Sequence, residues 1–267
     1  MDSKPRPSAT PSAAPPGVVT SEDRSTDRPA HTPRGARNGD HPSRPGALPP
    51  APGRLSRVRL PLVLSALLVV ISWQVAVGGP LLRLDLSARH GVHELRGWLD
   101  NPWIDYGGRG LADLGGSIPA IPVLLVGAAL AAWREWRAGG RRWWLPLPTA
   151  ALTALLIPLL VVPAKTWFAR PGPLGETVGP GQWGWYPSGH TATSAIAYGA
   201  AALLISRTTA SPVVRRWLYP ATALVCLGVG VGLVWSDYHW LLDVTASWCL
   251  AGVVLWGLPR VLPSPAD

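Results

Sequence analysis

Residues 144–173 read WLPLPTAALTALLIPLLVVPAKTWFARPGP, an apolar run that ends in Lys165 and Arg170. A bilayer core is about 30 Å thick and is crossed by about 20 apolar residues of helix, so this run is long enough to span a membrane. Of the 24 lysines and arginines in the chain, only Lys4 and Lys165 are lysines. Because an ionisable residue at a membrane span carries a free-energy cost, Lys165 marks a candidate functional position.

Six apolar stretches of this kind predict an all-α, polytopic membrane protein built as a six-transmembrane-helix bundle. The predicted spans cover residues 59–79, 117–134, 144–164, 189–207, 217–235 and 240–259. The fourth span is the least apolar, since polar residues crowd its start. A polar helix start is tolerated where it faces the interior of a bundle, and that is where we expect this one.

The composition divides the chain into three regions. Residues 1–58 hold 12 of the 30 prolines and few large apolar side chains, which predicts a disordered cytoplasmic tail. Residues 59–260 are the predicted six-span membrane domain, and residues 261–267 are a short C-terminal tail. The first long loop, at about 80–116, predicts one or two helices at the membrane interface.

Basic residues alternate between the loops and predict the orientation of the chain in a cell membrane. Arginines precede the first span, occupy the loops after the second and fourth spans, and follow the sixth. The positive-inside rule places these regions and both termini in the cytoplasm. The other loops then face outward, which predicts an outward-facing interfacial active site. That outer face collects the candidate site residues Lys165, Arg170, Ser188, His190 and His239.

The net charge of +9 does not predict nucleic-acid binding, because the arginines lie in short clusters between apolar stretches rather than on one soluble face. Hydrophobic residues make up 48% of the chain and charged residues 15%, so the expected partners are membrane lipids. Cys226 and Cys249 lie inside apolar runs and are interpreted as buried small residues rather than as a disulfide or metal ligands.

Two segments carry phosphate-binding chemistry. Lys165 and Arg170 bring a point charge and a forked donor to the water–lipid boundary, although both could simply extend toward lipid headgroups. In Pro187-Ser-Gly-His190, Ser188 can cap the fourth helix, and Gly189 lets an anion approach the free N–H groups at its positive end. The alternative for the second segment is a plain helix cap followed by an interfacial histidine.

A third segment, His239-Trp-Leu-Leu-Asp243, carries a histidine and a carboxylate four residues apart. This spacing puts both side chains on one helical face, where Asp243 can fix the tautomer of His239 and leave the other ring nitrogen free to attack. A chance polar pair is the alternative. A metal site built from two histidines and an aspartate would lack further ligands and would leave Lys165 and Arg170 unexplained, so we predict neither metal nor cofactor.

Taken in this order, the three segments resemble the motifs of the type 2 phosphatidic acid phosphatase superfamily, which includes the vanadium haloperoxidases. The resemblance covers about residues 80–260. It implies an integral-membrane, metal-independent phosphatase that hydrolyses a lipid phosphate or diphosphate, of the polyprenyl diphosphate or phosphatidic acid type. It also implies that His239 forms a phosphohistidine, that Asp243 orients it, and that His190 serves as acid and then base. The residues that would hold the phosphoryl oxygens are Lys165, Arg170, Ser188 and Gly189.

The chain departs from the family pattern at two positions. The Arg expected seven residues after Lys165 is Gly172, and the Ser-Arg pair expected before His239 reads Gly232-Leu233. A charged hydrogen bond contributes about 1.5–3 kcal/mol, so these losses predict a lower rate unless another cation compensates. Candidate compensating residues on the same face are Arg96 and Arg109. Two alternatives stay open: a weakened relative that binds or transports phospholipids, and a lipid-linked phosphotransferase.

Overall fold

The structure is a computed structural model that describes residues 54–261, in which all regular secondary structure is helical. The predicted tails lie outside the described residues, apart from residues 54–58 and 261. Residues 54–58 belong to the first helix.

Eight helices follow one another along the chain. They are α1 (Arg54–Val77), α2 (Leu82–Leu99), α3 (Pro102–Asp113), α4 (Ser117–Arg137), α5 (Pro146–Phe168), α6 (Gly189–Thr208), α7 (Pro212–Trp235) and α8 (Leu241–Val261). The six longest correspond to the six predicted spans, and α2 and α3 are the helices expected in the first long loop. The all-α fold is therefore confirmed.

Helix α6 differs from the other five long helices. Among the described residues, five helices are long and apolar enough to cross a membrane, namely α1, α4, α5, α7 and α8. The predicted count of six apolar spans is thus one too high. The physical reason is that α6 packs against α4, α5, α7 and α8, so most of its surface meets protein rather than lipid.

Small residues let α6 sit at the centre of the bundle. The α4–α6 contact is built largely from alanines, which allow two backbones to approach closely. A Cβ added at Gly127 would lie only 3.0 Å from the Cβ of Ala201, so glycine lets α4 and α6 approach this closely. Cys226 and Cys249 are free and buried, which confirms their interpretation as small core residues.

Helices α2 and α3 close one end of the bundle through a polar network. Asp237 accepts hydrogen bonds from Arg89 and His93, each at 2.8 Å. Asp105 on α3 pairs with Arg96 at 2.9 and 3.2 Å and accepts from the indole N–H of Trp235 at 2.8 Å. This network fixes α2 and α3 against the end of α7, beside the turn that leads to His239.

Candidate active site

The three chemistry-bearing segments meet where α5 ends and where α6 and α8 begin. His239 lies two residues before the start of α8, and Asp243 lies in the first turn of that helix. Nδ1 of His239 is 3.2 Å from Oδ2 of Asp243, and both side chains are buried. No other side chain of the described residues hydrogen-bonds the imidazole. Nδ1 is therefore held by the carboxylate, and Nε2 makes no hydrogen bond within residues 54–261.

Asp243 is the hub of the site. Its Oδ1 accepts from Nη1 of Arg170 at 2.5 Å, and its Oδ2 accepts from the backbone N–H of Trp240 at 3.3 Å as well as facing His239. Its backbone carbonyl accepts from the N–H of Ser188 at 3.2 Å. These contacts join the loop after α5, the start of α6 and the start of α8 into one unit.

The start of α6 is a capped helix end. Oγ of Ser188 accepts from the backbone N–H of Thr191 at 3.3 Å, and the side chain of Ser188 is fully buried. Its carbonyl accepts from the hydroxyl of Ser247 at 2.9 Å. Ser188 therefore caps the helix, and Gly189 and His190 are its first residues. They lie at the positive end of the helix dipole.

Lys165 lies beside this helix start. Its Nζ donates to the carbonyls of Gly184 at 2.9 Å and Trp185 at 3.4 Å. A Cβ at Gly189 would lie 3.6 Å from Cε of Lys165, so the lysine stem reaches the first residue of α6. Lys165 makes no ion pair with any carboxylate of the described residues. The ammonium is thus held at the site without being neutralised by direct contact.

His190 is exposed at the first turn of α6. It interacts electrostatically with His239, Lys165 and Asp113, which places it at the same site. Its backbone also contacts the turn between α3 and α4, since a Cβ at Gly115 would lie 2.9 Å from the carbonyl oxygen of His190. The side chain of His190 is therefore more exposed than that of His239, which is enclosed.

Arg170 is placed differently from the predicted phosphate ligand. Besides its contact with Asp243, its Nη2 donates to Oδ2 of Asp85 at 2.5 Å, and its guanidinium lies 5.4 Å from the ring centroid of Trp240. Both terminal nitrogens therefore face carboxylates, and the side chain is buried. Sequence reasoning missed Asp85, which lies within a run of leucines on α2 and is far from Arg170 along the chain.

The two departures from the family motifs have structural causes. Leu233 is fully buried in an apolar cluster with Ala112, Val229 and Val244, so no cation belongs at this position. At Gly172 an added Cβ would lie 2.6 Å from the ring of Trp185. Apolar packing and a close loop contact thus replace the two customary arginines.

Arg96 and Arg109, the two candidates for compensation, have other partners. Arg96 is engaged by Asp105 and lies 3.6 Å from Asp237. Arg109 lies over the ring of Tyr106, with its guanidinium carbon 5.8 Å from the ring centroid. Among the described residues, Lys165 is the cation beside the two histidines that no carboxylate engages.

Burial shifts the pKa of several titrating groups outside the membrane-spanning segments, among them His239 and Asp85. Burial lowers the pKa of His239 below its usual 6.5, although the neighbouring Asp243 opposes that effect. Burial also raises the pKa of Asp85, an effect opposed by the hydrogen bonds from Arg170 and from the backbone of Leu242. A neutral imidazole with a free Nε2 is the form that can act as a nucleophile.

Within residues 54–261, no three His, Cys, Asp or Glu side chains come together in a group that could hold a metal ion. The donors near His239 are instead cations and backbone N–H groups. Such donors are suited to phosphoryl oxygens.

Comparisons with known proteins agree with the three sequence segments. Residues 144–264 match the family model described as the PAP2 superfamily. Among solved structures, the chain is similar to the crystal structure of the first transmembrane PAP2 type phosphatidylglycerolphosphate phosphatase from Bacillus subtilis. That match has a TM-score of 0.61 at 20% identity and covers 75% of this chain and 94% of the other. No curated protein matches the chain by sequence.

Proposed function

We propose that the chain is a member of the PAP2 superfamily, whose model its residues 144–264 match, and an integral-membrane phosphatase that hydrolyses a lipid phosphate or diphosphate through a phosphohistidine. The observation that carries this proposal is the buried pair of His239 and Asp243. One ring nitrogen is held by the carboxylate at 3.2 Å, and the other is free. An oriented nucleophile of this kind is not needed by a protein that only binds lipids.

The proposed reaction has two steps. Nε2 of His239 attacks phosphorus, the bond from phosphorus to the lipid oxygen breaks, and His190 gives its proton to that oxygen. His190 then takes a proton from water, whose oxygen attacks the phosphohistidine and releases inorganic phosphate. Asp243 stabilises the positive charge that forms on His239 when it bonds to phosphorus. His190 suits the acid–base role because its side chain is more exposed than that of His239.

The developing charge on the phosphoryl oxygens is stabilised by Lys165 and by the backbone N–H groups at the start of α6. Both lie beside the two histidines. Preorganised donors of this kind supply a large part of the rate enhancement in acyl and phosphoryl transfer. With Arg170 tied to two carboxylates, Lys165 is the residue we expect to contribute most to phosphate binding.

A lipid substrate is supported by the surroundings of the site. Five apolar helices make the chain a multi-pass membrane protein, and the site lies where three long helices begin or end. A cavity of about 270 Å³ beside Arg170 is lined mainly by apolar side chains: Val75, Leu82, Leu86, Phe168, Pro171 and Trp240. Such a cavity suits one segment of a hydrocarbon chain. With the arginine clusters in the cytoplasm, the site would open on the outer side of the cell membrane.

The test is phosphate release by the purified full-length protein in detergent, from a polyprenyl diphosphate and from phosphatidic acid, with EDTA present. The proposal expects release from one of the two lipids, its persistence in EDTA, and its loss in His239→Ala. Release that requires an added lipid or sugar acceptor would identify a phosphotransferase. Saturable binding of both lipids without release would identify the binding or transport relative, and either result would overturn the proposal.

A further inference from the structure

A buried carboxylate reaches the active site from a helix outside residues 144–264. Asp85 lies on α2, and its side chain is 1% exposed although its neighbours in sequence are exposed leucines. Its Oδ2 accepts from Arg170 at 2.5 Å, and its Oδ1 accepts from the backbone N–H of Leu242 at 2.8 Å. Both oxygens thus meet donors in or beside the first turn of α8, next to the proposed nucleophile.

Arg170 joins this carboxylate to the catalytic pair. One terminal nitrogen binds Asp85 and the other binds Asp243, whose second oxygen faces His239. An arginine fork is planar and rigid, so a contact at one nitrogen fixes the direction of the other. With Oδ1 held in this way, the carboxylate of Asp243 cannot rotate away from the imidazole without breaking a buried ion pair.

We propose that Asp85 is a positioning residue, which acts through Arg170 to fix Asp243 and so to orient His239 for attack. The expected effect on the reaction rate rests on the proposed phosphatase function. It assigns to α2 a role in the chemistry, although α2 precedes the matched family segment. It also assigns Arg170 to the orientation of the nucleophile rather than to the direct binding of phosphate.

A phosphate-binding role for Arg170 would require it to release its carboxylates. Asp85 and Asp243 are both buried, and a buried carboxylate without a partner is strongly destabilising. Each of them has further donors, but these are backbone N–H groups or the imidazole rather than a permanent cation. The geometry therefore favours Arg170 as a fixed link between the two acids.

The charges of Asp85 and Arg170 should both affect the pKa of His239. The charged or titrating groups that face His239 are Asp243 on α8, Lys165 on α5, Arg170 after α5 and His190 on α6. Removing the negative charge of Asp85 leaves Arg170 to interact with Asp243 alone, which lowers the pKa of His239. Removing the positive charge of Arg170 raises it. The two substitutions therefore shift the titration of His239 in opposite directions.

The experiment compares Asp85→Asn and Arg170→Gln with Glu94→Gln, which makes a similar charge change at an exposed position of α2. The full-length protein in detergent is titrated by NMR, and the His239 resonance is assigned by its loss in His239→Gln. The kcat/KM–pH profile of phosphate release is measured in parallel. We expect kcat/KM to fall about 10- to 100-fold in both site variants, as for other residues that orient a reacting group, and to be unchanged in Glu94→Gln.

The two readouts separate the positioning role from the phosphatase function. Opposite shifts of the His239 titration in folded Asp85→Asn and Arg170→Gln support the link, even if the wild-type protein releases no phosphate and the proposed function fails. An unshifted titration in both folded variants overturns it. If Asp85→Asn does not fold, the Arg170→Gln titration decides alone: an upward shift supports the link, and no shift or a downward shift overturns it. Equal loss of activity in Glu94→Gln would also overturn it.

Discussion

At the scale of single residues, the site depends on an imidazole with one nitrogen held and the other free. His239 and Asp243 were both predicted from their spacing, because a separation of four residues in a helix brings side chains together. The role of Arg170 was not predictable in the same way. Its partners lie 85 and 73 positions away in the chain, so the contacts arise only when α2 and α8 pack beside the loop after α5.

The role proposed for His239 predicts a steep loss of activity when His239 or Asp243 is replaced. His239→Ala should reduce phosphate release to background, and Asp243→Asn should lower kcat by about 10²–10⁴-fold, because the amide neither fixes the tautomer nor stabilises the charged ring. Initial rates of phosphate release from a ³²P-labelled lipid, with an alkaline quench to preserve phosphohistidine, measure both effects. His90→Ala is the control, since that histidine is exposed on α2. A labelled protein in His239→Ala would rule out His239 as the nucleophile.

The pKa of His239 predicts the acidic side of the pH profile. Attack requires the neutral imidazole, and burial lowers the pKa of His239 below 6.5. Activity is therefore full above that lowered pKa and is lost as the pH falls through it. The acidic limb of kcat/KM, which reports the free enzyme, should have its midpoint below pH 6.5. A midpoint above pH 6.5 would mean that the nucleophile is not buried as described.

At the scale of elements, the length of each apolar run predicted where the helices lie, but it did not predict which helices pack against one another. The prediction treated α6 as a span like the others, although its polar start had already set it apart. Its burial comes from contacts with four other helices, and apolar length carries no information about such contacts. Gly232 illustrates the same limit: it stands where the family has a polar residue, for reasons that only the crossing of α3 and α7 reveals.

The close crossing of α3 and α7 predicts that Gly232 cannot be replaced without loss of stability, and Gly110 provides a matched control. A Cβ at Gly232 would lie 2.8 Å from the backbone nitrogen of Ala112, whereas a Cβ at Gly110 on α3 would meet nothing within 4 Å. Gly232→Ala should therefore lower the Tm in detergent, because α3 must move away. Gly110→Ala should leave the Tm unchanged or raise it, since alanine favours a helix by about 1 kcal/mol over glycine. Equal Tm values for the two variants would contradict the close crossing.

At the scale of the whole molecule, the site is assembled from both halves of the chain. The matched family segment supplies Lys165, the two histidines and Asp243, and all of them were predicted from local motifs. The helix that contributes Asp85 lies before that segment and carries no motif of its own. Local patterns therefore predicted the residues that we propose to react, while the groups that hold them in place depend on tertiary packing.

The orientation of the chain is the remaining prediction at this scale. The arginine pattern places the α4–α5 loop in the cytoplasm and the loop after α5 outside, on the side of the site. After Cys226 and Cys249 are replaced by alanine, single cysteines at the exposed positions Ala138 and Thr177 report the two sides. A membrane-impermeant maleimide should label Thr177→Cys in intact cells and label Ala138→Cys only after the membrane is opened. The reverse pattern would turn the site toward the cytoplasm, and the substrate would then have to be a lipid phosphate of the inner leaflet.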